Sequence, residues 1–331
     1  MRRPVSILVA FLVVLLCSSW GFLVHRTVNQ LAIYELPKTI RPFFYQNKEY
    51  LVKHSVRPDE RRNTDTTEAS KHFIDLEIFG DSAAWKMPWV WEEAVTQFSE
   101  DTLLKYGYVP YVIMDVKQKL TRAFRNRSKD SILFYAADLG HYIGDLHVPL
   151  HTSLNYDGQL TGQKGLHSLW ESTVPQLNIA TYQLSSRHKA KYLPKPEEGI
   201  WAAVRHSHAL TKDVFLAEKE VTKTFTPEQK FRTQERRGRE VKTYTTEFAR
   251  AYGQRLGKTV NDQLIATADM IADFWYTCWV DGGKPDLSHI DARPFTRSDK
   301  KALSAEVKMF KKNELLAKKK LIAQAGAEVA E

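Results

Sequence analysis

His141 and Asp145 lie four residues apart, and so do His167 and Glu171. On a helix that spacing puts both residues on one face, so each pair offers an imidazole nitrogen and a carboxylate oxygen to one cation. His147 and His151 follow the first pair at once, and Gly140 and Gly144 directly precede its two members. Two glycines one turn apart clear one side of a helix for a second element. A single such pair is most often a surface ion pair or a buried hydrogen bond; two pairs with further histidines at short range point to a metal site. Nitrogen and oxygen donors without thiolate suit catalytic zinc. Upstream, Arg57-Pro58-Asp59-Glu60-Arg61-Arg62 and Lys71-His72-Phe73-Ile74-Asp75 add weaker candidates. Taken alone, Asp59 serves as well as a helix cap, and His72 as a packed residue.

The elements that must position these groups read as helices. Val24 to Leu36 is amphipathic and ends before Pro37. Ser99 to Arg125 is predicted helical with an interruption at Gly107 to Pro110. Ser128 to Leu146 carries Ile132, Leu133, Ala136, Leu139 and Ile143 at helical spacing, with Ser128 able to cap it and Pro149 stopping it. Asn155 to Gly165 is a glycine-bearing loop, and Leu166 to Val174 opens the next helix. Glu197 to Glu218 and Glu240 to Val280 are predicted helical as well. Trp85, Trp89 and Trp91 lie in a loop or helix start. No alternating strand series or internal repeat is visible, so the expected class is all-α.

The chain has 331 residues, 43% hydrophobic and 26% charged, which excludes wholesale disorder and a disulfide scaffold. Its net charge is +9, of which Arg2 and Arg3 supply two; the excess favours anionic partners without choosing among them. Those two arginines, the apolar run Val5 to Leu16 and the small residues Cys17-Ser18-Ser19 read as a signal peptide cleaved after Ser19. The run is shorter than the roughly 20 residues of a membrane span, and Leu16 is too large for a lipidation site at Cys17. Export to the periplasm or the extracellular space is therefore expected. After cleavage only Cys278 remains, so no internal disulfide can form, and a metal cluster can serve as the staple instead. The expected organisation is a signal peptide at 1–19, one domain at 20–292 and a basic tail at 293–331. That tail, with Lys318-Lys319-Lys320, reads as a solvated helix or frayed end, or more sharply as a transient grip on an anionic surface.

Trp20-Gly21-x-x-x-His25, Asp59-x-x-Arg62, His72-Phe73-Ile74-Asp75, Gly140-His141-x-x-Gly144-Asp145-x-x-x-Pro149-Leu150-His151 and Leu166-His167-Ser168-x-Trp170-Glu171 occur in that order. Together they resemble the trinuclear-zinc superfamily of single-strand-specific nucleases and bacterial phospholipases C, over about Trp20 to Val280. The resemblance implies three zinc ions. Asp59, His72, His141 and Asp145 would hold one, and His151, His167 and Glu171 a second. Trp20 would hold the third through its freed α-amine and carbonyl, with His25 and Asp145, the latter bridging two ions. An α-amine with a pKa of about 8 binds zinc near neutrality, whereas a precursor amide does not. The implied chemistry is metal-assisted phosphodiester hydrolysis by a water of lowered pKa. Arg62 would neutralise the phosphate and Asp75 orient it. Phe73 matches a position where nucleases stack a base, although an ordinary core phenylalanine is an equal reading. His147 falls outside the ligand pattern.

Glu171 stands where the nuclease branch usually has aspartate and the phospholipase branch glutamate. The motifs around Asp59, His72 and His151 look closer to the nucleases, and nuclease-type disulfides cannot form. The favoured expectation is an exported zinc nuclease acting on single-stranded DNA or RNA. Its stacking and basic approach would come from Phe73, the Trp85–Trp91 stretch and the Arg232–Arg239 cluster. A phospholipase C acting on phospholipid head groups is the alternative, and a non-catalytic zinc-stabilised binding protein the third. No protein partner is implied.

Overall fold

The computed structural model describes residues 21–236 and 239–324. The expected signal peptide, its cleavage site and Trp20 lie outside the described residues, as do 325–331. The fold is all-α, with one two-stranded antiparallel hairpin among the described residues. None of the described helices is long and apolar enough to cross a membrane.

Three helices form the frame of the site. The first, Phe22–Glu35, is buried along nearly its whole length and packs on Lys129–Leu146 and Thr259–Asp281. Lys129–Leu146 ends three residues before Pro149, as the proline rule requires. Ser128 stands at its N-cap, but its hydroxyl bonds Ser131 Oγ rather than a backbone N–H. Around this frame sits one core that includes Leu31, Phe44, Trp201, Phe274 and Trp275, all fully buried; Phe44 and Trp275 stack at 4.7 Å. Cys278 is free and buried, and burial pushes its thiol up to about 12, so it stays an unreactive core residue.

The predicted break at Gly107 is real. Gly107 takes φ +89° between helices Glu100–Tyr106 and Val109–Arg125. The single helix expected over Glu240 to Val280 is corrected. Phe231–Arg236 and Arg239–Tyr244 pair antiparallel, Phe231 opposite Tyr244, and only then do helices Thr246–Leu256 and Thr259–Asp281 follow. Thr245 starts the first of them by accepting from Phe248 N, and Gly257 at φ +62° ends it. Tyr244 and Phe248, expected as successive helical core positions, are both buried and stack, but from a strand and a helix.

The C-terminal segment is helical over Arg297–Lys311, begun by a capping box between Thr296 and Asp299. It is packed rather than solvated. Leu303 and Phe310 are buried, and Glu306 accepts hydrogen bonds from Tyr34, Tyr45 and Lys48 at 2.8–2.9 Å. Further on, Gln30 of the first helix grips the Lys320 carbonyl (2.6 Å) and the Ile322 amide (2.8 Å). Lys318, Lys319 and Lys320 remain exposed on this docked segment.

Candidate metal centre

The Lys129–Leu146 helix presents His141 and Asp145 one turn apart, both buried. The glycines before them admit the first helix. A Cβ at Gly140 would stand 2.1 Å from Asn29 Oδ1, and one at Gly144 would stand 2.7 Å from His25 Nδ1. This close approach lays the His25 ring on the His141 ring, with centroids 4.1 Å apart. Gly144→Ala is therefore expected to push the first helix outward, costing about 1–3 kcal/mol as an overpacked core does. A lowered urea midpoint together with weaker zinc retention would show it; a variant as stable as the parent would refute the contact.

Asp145 is the centre of the cluster. Its Oδ2 lies 2.9 Å from His72 Nδ1 and 3.2 Å from His141 Nε2. Its Oδ1 lies 3.5 Å from His151 Nδ1 and 3.6 Å from His25 Nε2. Asp59 Oδ1 approaches His72 and His141 at 3.7 and 3.8 Å. At the other end Glu171 Oε2 is 2.7 Å from His167 Nε2 and 3.4 Å from His151 Nε2, while its Oε1 reaches His25 at 3.9 Å. The donor atoms form three groups, each within 4.8 Å: Asp59, His72 and His141; His25, His141 and Asp145; His151, His167 and Glu171.

This donor set fits zinc. Bonds of about 2.0–2.1 Å in a tetrahedron put ligand atoms roughly 3.3 Å apart, and the donor separations here, from 2.7 to 3.9 Å, bracket that value. Buried Asp145 meets only imidazoles, and the His151 Nδ1 that faces it at 3.5 Å lacks a hydrogen-bond partner. Burial alone would raise the two central carboxyls. Instead His141 and His72 hold Asp145, and His167 and His151 hold Glu171, well below the usual carboxylate range. Burial likewise opposes the charge on His141, yet Asp145 and Asp59 push it up to about 9, while His25, with burial dominant and His141 beside it, falls to about 4.

Several groups that position these donors were not singled out from sequence. His141 Nδ1 donates to the Ser55 carbonyl at 2.8 Å, which turns Nε2 toward the centre. Buried Glu68 places Oε1 3.7 Å from His72 Nε2 and accepts hydrogen bonds from Tyr142, Arg61 and Lys71. Arg61 and Arg57 also bridge to Asp138, one turn before His141 on the same helix. Glu68→Gln is expected to lower zinc affinity by about 10–100-fold, the usual effect of losing a group that orients a ligand histidine. A chelator competition titration reads this, and an unchanged midpoint would remove Glu68 from that role.

Arg62 is half exposed, 3.6 Å from Asp59. Phe73 is half-buried and packed on Gly107, where a Cβ would meet its ring at 2.6 Å. Asp75 is buried, and burial, with Glu77 nearby, pushes it up to about 7. His147 is buried with Nδ1 bonded to the Ile143 carbonyl, outside the donor groups. Trp20 is outside the described residues.

An all-α scaffold that gathers imidazoles and carboxylates from separate stretches into one buried cluster is suited to metal-assisted hydrolysis. The S1/P1 Nuclease family model matches residues 20–272, most of the chain. The chain belongs to the S1/P1 nuclease family and is a hydrolase of the nuclease type, acting on phosphodiester bonds. Comparison with curated proteins gives no match.

Proposed function

We propose that the chain is an exported, zinc-dependent nuclease that cleaves single-stranded DNA and RNA. The observation that carries this reading is the meeting of three donor groups about Asp145. Asp59, His72, His141 and Asp145 would hold one zinc, His151, His167 and Glu171 a second, and the Trp20 amine, His25 and Asp145 a third. Gly21 supports the last assignment: its Cβ position lies 3.6 Å from Glu171 Oε1, so the start of the described chain stands beside the cluster. The family match begins at residue 20, where cleavage of the signal peptide is expected. Bound there, the ions would supply positive charge to the phosphate and a water of lowered pKa. Arg62 offers its guanidinium to a phosphate oxygen beside Asp59. Asp75, protonated below about neutrality, can donate a hydrogen bond that orients the phosphate. Phe73 offers a ring face to a base, a contact worth about 1–3 kcal/mol for any sequence.

The mature protein, incubated with single-stranded DNA and with phosphatidylcholine, with and without chelator, tests the reading. Chelator-sensitive cleavage of the DNA is expected, and cleavage of lipid alone would overturn it. One extra residue ahead of Trp20 is expected to reduce bound zinc from three ions to two and activity by at least about tenfold. Full zinc content in that variant would sink the third-ion assignment.

A further inference from the structure

A cleft of about 860 Å³ runs from Gly21 and Ser168, beside the ligands His167 and Glu171, to the hairpin residues Arg232, Lys242 and Thr243. The hairpin is fixed to the ligand-bearing loop. Glu218 takes hydrogen bonds from Tyr244 Oη (3.1 Å), Gln163 Nε2 (2.6 Å) and Lys230 Nζ (2.6 Å). Gln163 is four residues before His167, so the cleft wall and the metal end keep one relative position. Lys164 and Lys242 line the cleft and are exposed, and neither forms an ion pair with a described carboxylate. Asp157, which also lines it, already accepts from the His167 amide (3.4 Å). Leu177 and Val241 add apolar surface to the same cleft. Unpaired ammonium groups beside apolar surface suit a flexible polyanion whose bases need no particular sequence.

We propose that this cleft is the track for the single-stranded polynucleotide as it leaves the metal centre, with Lys164 and Lys242 on successive backbone phosphates. The proposal rests on the nuclease reading and extends it from the scissile bond to the neighbouring nucleotides. Because the contacts are to phosphates, and more of them form along a longer strand, the track favours long single strands over short fragments of any sequence.

The test uses the full mature chain and the double variant Lys164→Gln/Lys242→Gln. Anisotropy of a fluorescent 20-mer phosphorothioate oligo-dT, which resists cleavage, on the zinc-loaded protein over a salt series gives binding without turnover. The slope of log K against log salt is expected to fall by about 1.4, the loss of two single-strand phosphate contacts. On zinc-loaded protein, the ratio of 20-mer to dinucleotide kcat/KM is expected to drop about tenfold. An unchanged slope and ratio in a variant with parental melting would overturn the track while leaving the nuclease reading intact. Parent protein that cleaves neither substrate would overturn both.

Discussion

Asp145→Asn is expected to reduce bound zinc from three ions to one and to lower kcat by at least about 10³-fold, some 4 kcal/mol of barrier. The change removes one atom's charge and almost no volume, so the helix and its packing should persist. What is lost is the anion that faces four imidazoles at once, with Oδ2 toward His72 and His141 and Oδ1 toward His25 and His151. An amide has one acceptor oxygen and cannot serve both sides. The His151, His167 and Glu171 group keeps its own carboxylate at 2.7 and 3.4 Å and should retain its ion. Atomic emission on the dialysed variant and single-strand cleavage rates check both numbers. Three ions bound, with activity within tenfold of the parent, would show that Asp145 does not join the sites.

The second large effect lies away from the metals. Glu35, in the last turn of the first helix, is 2% exposed and faces the Asp269 carboxyl; neither its oxygens nor Asp269 Oδ1 find a donor elsewhere, and a proton on Glu35 lets the two carboxyls share a hydrogen bond. Asp273 is already held by His188 Nε2 and the Lys191 amide, both at 2.7 Å. Burial, then the charges of Asp269 and Asp273, raise Glu35 to about 10 from an ordinary 4.5. The folded protein therefore keeps a proton that the unfolded chain releases. Stability from this group is fully present below about pH 4.5 and drains away as pH rises toward 10, by up to about 1.4 kcal/mol per unit. Glu35→Gln preserves the neutral shape and abolishes the titration. At pH 9 it is expected to be more stable than the parent by roughly 3–5 kcal/mol, with little difference at pH 4.5. Urea midpoints at the two pH values decide it, and parallel losses in both proteins would exclude the buried proton.

The gathering of these donors was legible because its signals are local. His141/Asp145 and His167/Glu171 announce a shared helical face, and Gly140 and Gly144 announce a close neighbour, which proved to be Asn29 and His25. The network behind the ligands was not legible. Glu68, Arg61 and Asp138 are ordinary charged residues in sequence, and only the packing of 57–72 against the Lys129–Leu146 helix sets them behind His72 and His141. The hairpin was missed for a different reason. Its second strand reads Arg-Glu-Val-Lys-Thr-Tyr, whose charged residues suit a helix as well, and Tyr244 and Phe248 keep helical spacing across the junction. The C-terminal segment hid its docking face because Leu303, Phe310, Leu315 and Leu321 are thinly spread among lysines and alanines.

Gln30 sits five residues after His25 on one helix and closes its side chain on residues 320 and 322. The stretch of chain made first is thus locked by a stretch made some three hundred residues later. A partly synthesised polypeptide would carry every ligand from His25 to Glu171 and still lack the clasp that holds its opening helix in place. The placement of His25 is thereby coupled, through the helix it shares with Gln30, to a clasp remote from it in sequence.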